Sequence, residues 1–206
     1  MISLFIDTST KNVSISIVKD DKILSLIQEE ICNEHSKYAT SYVKKVIDEA
    51  NIDANDLDNI LVVTGPGSFT GVRIGVTIAK TYGYLINKEI IAVSSLKSLA
   101  LSVSDKDIVM SVIAANKSSY YVGVYDSKYN DIICEQCVSN TRLLELIDEY
   151  NPYIVSDNFN VLGRYKFNKV NLDILKIVDY YKDKDTINYH ALVPNYLKLP
   201  QALENK

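Results

Sequence analysis

Two short stretches of this chain carry residues whose types and spacing suit phosphate chemistry. The first is Asp7-Thr8-Ser9-Thr10, where an acid and three hydroxyls close the apolar run ISLFI. Such an acid would help to hold Mg²⁺ beside a phosphate, with the hydroxyls and amides of the turn completing a cradle. The second is Gly65-Pro66-Gly67-Ser68-Phe69-Thr70-Gly71, between the apolar run NILVV and a helical pattern. Free N–H groups at a helix start attract anions. The loop nevertheless lacks the lysine of GxxxxGK[ST], and its third glycine falls one residue late for GxGxxG. A structural turn explains it equally: Pro66 fixes φ, Gly67 takes a positive φ, and Ser68 caps the helix. Asp7 has a structural alternative too, an Asx turn in which its carboxylate accepts from its own backbone.

Metal and thiol chemistry find little support. The chain has two histidines. His35 has Ala39, not a second ligand, at i+4, and His190 in NYHALVP has no acid at metal-ligand spacing. One imidazole does not make a metal site. Of the three cysteines, Cys134 and Cys137 have CxxC spacing, but DIICEQCVS reads as a strand, whereas a redox pair opens a helix. With Cys32 they are expected to be ordinary reduced thiols. The expectation is therefore no metal, no cofactor and no catalytic residue, with Asp7, Thr8 and Ser9 as weak nucleotide-binding candidates.

The 22 basic and 26 acidic residues leave a net charge of -4, and the lysines are scattered among acids. No basic stripe marks a surface that holds nucleic acid unaided. No basic leader or apolar run of ~18 residues is present, so the protein is expected in the cytoplasm.

Around these residues the hydrophobic periods predict strands over 2–7, 12–19 and 22–29, a helix over 35–50, a strand over 57–65, a long helix over 68–87, a strand over 89–95 and a short helix after it. The order βββαβα then starts again. A gapless offset of 107 sets Ile6 on Ile113, Val13 on Tyr120 and Ile17 on Val124. A helix over 141–150 and a strand over 152–157 follow, and no partner for the long helix comes after. A duplicated βββαβα unit with mixed sheets is the α/β, actin-like ATPase (ASKHA) topology, here with a reduced second lobe: residues 1–103, then 104–206 with the C-terminal tail.

Within the long helix, Gly71, Gly75, Ala79 and Gly83 recur every four residues and form one stripe. Each interior glycine costs ~1 kcal/mol against alanine, so the stripe implies a close approach to the backbone. Either this chain's own elements or a partner's helix would make it. Tyr82 and Tyr84 add aromatic anchors at the same end.

GPGSFTGVRIGVTIAK followed by IIAVSSLKSLA, with LFIDTST, the HS that opens the first helix and VPNYLKLPQA near the end, resembles the TsaB (YeaZ) family of tRNA threonylcarbamoyladenosine biosynthesis proteins. The likeness is dense in the first half and in the tail, and looser over 104–190. It implies the two-lobed actin-like fold and a non-catalytic paralogue of the transferase TsaD. Such proteins pair with TsaD and the ATPase TsaE to modify adenosine 37 of tRNA. Pairing through the helices at 35–50 and 68–87 implies an interface of His35, Tyr38, Tyr42, Gly71, Gly75, Ala79, Tyr82 and Gly83. The same face would form a homodimer when TsaD is absent.

The resemblance also weighs against catalysis. TsaD-like enzymes carry a metal-binding HxxxH where this chain has His35 and Ala39, and further histidines where it has Ser94, Ser95 and Leu96. Related TsaB sequences often read Asp-Ala-Arg where Ala114-Ala115-Asn116 stand, and a phosphate clamp with one uncharged half should bind weakly. The rivals are a nucleotide-dependent phosphotransferase built on Asp7 and a metallopeptidase-like protein.

Overall fold

A computed structural model describes residues 1–30, 35–157, 161–162 and 164–197; for 35–37 and 161 it describes the backbone alone. Strands β1 (Ile2–Asp7), β2 (Asn12–Lys19) and β3 (Lys22–Glu30) form an antiparallel meander. Helix α1 (His35–Ala50) crosses back, and β4 (Asn59–Gly65) pairs parallel with β1. Helix α2 (Phe69–Ile86) then leads to β5 (Ile90–Ser94), parallel to β4, and α3 (Ser95–Leu101) follows directly.

The second unit repeats this plan. Strands β6 (Ile108–Ala114), β7 (Ser119–Asp126) and β8 (Asp131–Ser139) form its meander, followed by α4 (Asn140–Tyr150) and β9 (Tyr153–Ser156). A small hairpin, β10 (Val161–Leu162) and β11 (Tyr165–Lys166), stands where the first lobe has α2, ahead of β12 (Asn168–Lys169). The sheet orders are β3-β2-β1-β4-β5 and, read in the same sense, β8-β7-β6-β9-β12. Two mixed sheets of one topology, each with helices against it, make the α/β actin-like fold.

The internal repeat needs one correction. In β1–β2, Ile6 pairs with Ile15, and both face α1 and α2. In the second lobe the residues facing α4 are Val112, Tyr120, Val122 and Val124, while Ile113 lies in another cluster, toward α3. Val13, Ile15 and Ile17 thus match Tyr120, Val122 and Val124 at offset 107, but Ile6 matches Val112 at 106. Between these matched positions the second hairpin holds one residue more, and a slip of one residue moves a side chain to the opposite face of a strand. Asp7 therefore has Ile113 as its counterpart, not Ala114.

Ser14 and Ser16 alternate with the apolar residues of β2, as in a half-buried strand, yet both are buried. Helix α5 (Ile174–Tyr181) explains this, since it lays Ile174, Ile177, Val178 and Tyr181 against Phe5, Val18, Leu61, Val63 and Val93 on the far face of the first sheet. Leu192 joins the core on the other face, and Ile187 pairs with Ile90. The tail, grouped with the second lobe by sequence order, packs on the first. Helix α3 is buried along its whole length, with Leu96, Leu99 and Ala100 among second-lobe residues Val109, Ile113 and Val155.

Candidate functional site

The turn after β1 is packed shut. The Asp7 carboxylate accepts from the Ser9 N–H at 2.8 Å, the Asx turn offered as its structural role. Thr8 Oγ1 donates to the Gly71 carbonyl at 2.7 Å, and the Ser68 N–H donates to the Ser9 carbonyl at 2.7 Å. Asp7, Thr8 and Ser9 are at most 3% exposed. The start of α2 thus occupies the space over this turn that a phosphate would need. Ser68 caps α2 by accepting from the Gly71 N–H at 3.2 Å. The positive φ of the loop falls on Gly65, at 112°, and not on Gly67, whose missing Cβ makes room for the Ser9 carbonyl.

Beside Asp7 is a cavity of about 30 Å³, bordered by Ser95, Ile113 and Asp157, room for a water or two. Burial pushes the Asp157 carboxyl up, partly offset by the Ser156 hydroxyl. A larger hollow of about 380 Å³ lies between the lobes, edged by Lys11, Asn12, Ala114, Tyr120 and Lys169, and Lys169 pairs with Glu30 at 3.8 Å. The first-lobe acid is committed to its own turn, and the second lobe offers Ile113 in its place. These residues do not fit a Mg²⁺-nucleotide clamp.

On the other side of α3 a polar cluster ties the lobes together. Lys97 Nζ donates to the Tyr129 carbonyl at 2.7 Å and to Asp131 at 2.6 Å, and lies 3.9 Å from the Tyr125 ring centroid. Glu135 accepts from the Ser94 hydroxyl and, at 3.0 Å, from the Tyr125 hydroxyl. Burial raises the Glu135 carboxyl, and those two donors and Lys97 hold part of the rise back. Sequence reading passed over this cluster because its members come from β5, α3, β7 and β8.

The glycine stripe meets this chain itself. A Cβ on Gly71 would strike the Thr8 carbonyl, and one on Gly75 would lie 2.6 Å from Thr8 Oγ1. A Cβ on Gly83 would lie 2.9 Å from the Lys88 carbonyl and 3.2 Å from Tyr189 Cβ, and Ala79 is fully buried. Gly71, Gly75, Ala79 and Gly83 are therefore not a track for another molecule's helix. The close approach they permit is to β1 and the tail. Tyr38, Tyr42 and Tyr82 are half-buried at the edge of the same core. The rings of Tyr38 and Tyr42 stack at 5.9 Å, and the Tyr42 hydroxyl donates to Glu29. The side chains of His35 and Ser36 lie outside the described residues, as does Cys32.

What α2 does offer outward is its opposite face. A groove of about 410 Å³ is lined by Thr40 of α1 and by Phe69, Thr70, Arg73, Ile74, Thr77 and Ile78 of α2. Arg73 carries its guanidinium 3.6 Å from the Phe69 ring centroid, and its Nε donates to the Tyr196 hydroxyl at 2.7 Å. Tyr196 arrives from the tail, where the Asn195 N–H is tied to the Thr64 carbonyl at 2.8 Å. From sequence, Phe69 and Thr70 figured only in the candidate phosphate loop and Arg73 in no site, although Thr70, Arg73, Thr77, Thr81 and Tyr84 follow helical spacing opposite the stripe. The role of Tyr196 left no local signal, being 123 residues from Arg73.

His190 is exposed, its ring against Tyr189 and Tyr84. Among the described residues no group of three or more His, Cys, Asp or Glu could hold a metal ion, and no helix is long and apolar enough to cross a membrane. Cys134 and Cys137 lie on β8, and strand residues three apart point to opposite faces.

Comparison with known proteins gives the same outline. The family model described as TsaD, tRNA N6-adenosine threonylcarbamoyltransferase, matches residues 26–202. The tRNA threonylcarbamoyladenosine biosynthesis protein TsaB of Bacillus subtilis is 29% identical over 98% of this chain and 96% of its own length. A tRNA N6-adenosine threonylcarbamoyltransferase of Wolbachia pipientis is 31% identical, but over 48% of this chain and 34% of its own length. Among solved structures, a Pseudomonas aeruginosa protein described as similar to peptidase YEAZ superposes with a TM-score of 0.80 at 21% identity, covering 96% of this chain and 99% of that one. The chain belongs to the TsaD family, and it is with the family's TsaB (YeaZ) members that it shares its whole length.

Proposed function

We propose that this protein serves tRNA threonylcarbamoyladenosine biosynthesis as a non-catalytic scaffold, pairing in the cytoplasm with a TsaD-type transferase and a TsaE-type ATPase. The observation that carries this reading is the contrast between its two hollows. The interlobe turn that would do phosphate chemistry is packed against α2, with Asp7 spent on its own backbone. The groove between α1 and α2, on the helices that the family resemblance assigns to pairing, is open and carries Phe69 at 48% exposure. An exposed aromatic beside an arginine is the composition that anchors protein interfaces.

The mechanism is positional. Tail, turn and β1 brace α2 from within, so its outer face is presented to the transferase as a rigid surface, and the reacting atoms lie on the partner. Binding that orders a transferase helix would raise its activity without this chain touching substrate. Adenosine 37 of the tRNA is reached through the complex alone.

The test is co-purification with the TsaD-family transferase from the same source. Thr77 is exposed on the groove, so Thr77→Arg should abolish capture while circular dichroism shows an unchanged fold. Undiminished capture by that variant would remove the groove from the account. Tight binding of ATP and Mg²⁺ by the isolated chain in calorimetry would instead revive the phosphotransferase reading.

A further inference from the structure

We propose that Arg73 is the residue by which this groove selects its partner, and that it takes a carboxylate presented by a partner helix. This rests on reading the groove as a partner surface. Arg73 is exposed, yet its guanidinium is not loose. Its Cζ lies 3.6 Å from the Phe69 ring centroid and 5.8 Å from that of Tyr196, and its Nε donates to the Tyr196 hydroxyl at 2.7 Å. The two rings are themselves 5.7 Å apart, a tilted pair. Stacking and the Nε bond fix the guanidinium plane, while the terminal nitrogens have no partner among the described residues.

A planar fork with its orientation set in advance matches a carboxylate's two oxygens and loses little freedom on binding. Among the described residues no acid forms an ion pair with Arg73, and α2 from Phe69 to Ile86 contains no Asp or Glu. Ile74 and Ile78 supply the groove's apolar wall, which suits the side of a helix carrying its acid next to aliphatic residues. A second copy of this chain is the poorer fit. Two α2 helices paired about a two-fold axis would set Arg73 against a helix that carries no Asp or Glu of its own. Tyr196 is the positioning residue, since its hydroxyl holds the Nε edge so that the terminal edge faces out.

The experiment measures the dissociation constant for the TsaD-family transferase at low and high salt. Arg73→Lys keeps the charge but loses the fork and should weaken binding about tenfold. Arg73→Leu should weaken it further and flatten the salt dependence, and Tyr196→Phe should weaken it about threefold. If Thr77→Arg abolishes binding while both Arg73 variants bind like the natural protein, the carboxylate proposal falls and the groove stands. If Thr77→Arg binds as well, both fall. Millimolar inorganic phosphate displacing the transferase would assign Arg73 to phosphate and overturn the proposal. So would sedimentation of the chain alone as a dimer that Arg73→Leu splits, which would name a second copy as the occupant.

Discussion

The two sides of α2 obey opposite rules. On the inner side every fourth residue is small, and the gaps are filled by Thr8, the Lys88 carbonyl and Tyr189 of the same chain. On the outer side Phe69, Arg73 and Thr77 stand exposed beside Thr40, with Tyr196 of the tail bonded to Arg73. Side chains are removed where the backbone is gripped and retained where the surface is free. The small-residue stripe of α2 thus marks where its own fold holds it, and the proposed partner face lies on the other side.

Substitution on the gripped side should break the fold before it touches any partner. Gly75→Leu would have to place its side chain among Thr8, Val62 and Ile6, with the first atom already 2.6 Å from Thr8 Oγ1. The expected cost is roughly 3 kcal/mol or more. For a chain of this size that lowers the melting temperature by roughly 6–12 °C. A thermal melt unchanged within 2 °C (about 0.5–1 kcal/mol) would show the stripe to be loosely held.

A milder probe of the same side is Thr8→Val, which keeps the shape and removes the buried bond to the Gly71 carbonyl. It should cost about 1–2 kcal/mol in urea unfolding with no change in the denaturant slope. On the free side, Thr77→Arg should change stability by less than about 0.5 kcal/mol. An equal loss of stability from Thr77→Arg and Thr8→Val would erase the distinction between the faces.

The smallest effect sharpens the comparison from outside α2, where α3 is gripped by charge. Burial raises the folded carboxyl of Glu135 above its ordinary 4.5. A raised acid binds its proton better in the fold, so its contribution to stability is complete below the ordinary value and is lost as pH rises through the folded one. The groups facing it are Ser94 on β5, Lys97 on α3, Tyr125 on β7, Asp131 on β8 and Tyr181 on α5. Glu135→Gln keeps an oxygen for Ser94 and Tyr125 but carries no charge. Its melting temperature should therefore gain on the natural protein's as pH rises from 4.5 through the raised value of the folded carboxyl. Parallel curves would mean that Lys97 offsets the burial of Glu135 in full.

Much of the fold was legible because hydrophobic period reports local geometry. The strands of both meanders and the bounds of α1, α2 and α4 follow from alternation or from helical spacing, within a residue or two. Ser68 as a cap and Asp7 in an Asx turn were legible too, since each bond spans two or three residues. The site was less so. The stripe was visible as four small residues, but nothing local says which element fills a gap, and the filling residues are 63 positions away at Thr8 and 106 away at Tyr189. The one-residue slip between Ile6 and Val112 was hidden for a like reason, because an alternating strand accepts either register until a helix covers one face.

By itself, then, the order of residues determined the elements, the duplicated plan and the family motif around α2, all of which depend on neighbours along the chain. Only the tertiary structure decided which face of α2 is gripped and which is free, that the tail braces the first lobe, and that Arg73 is held between Phe69 and Tyr196. Burial and pairing depend on what arrives across space. The faces of a helix differ in residue type, but which of them lies inside is decided by whatever packs there.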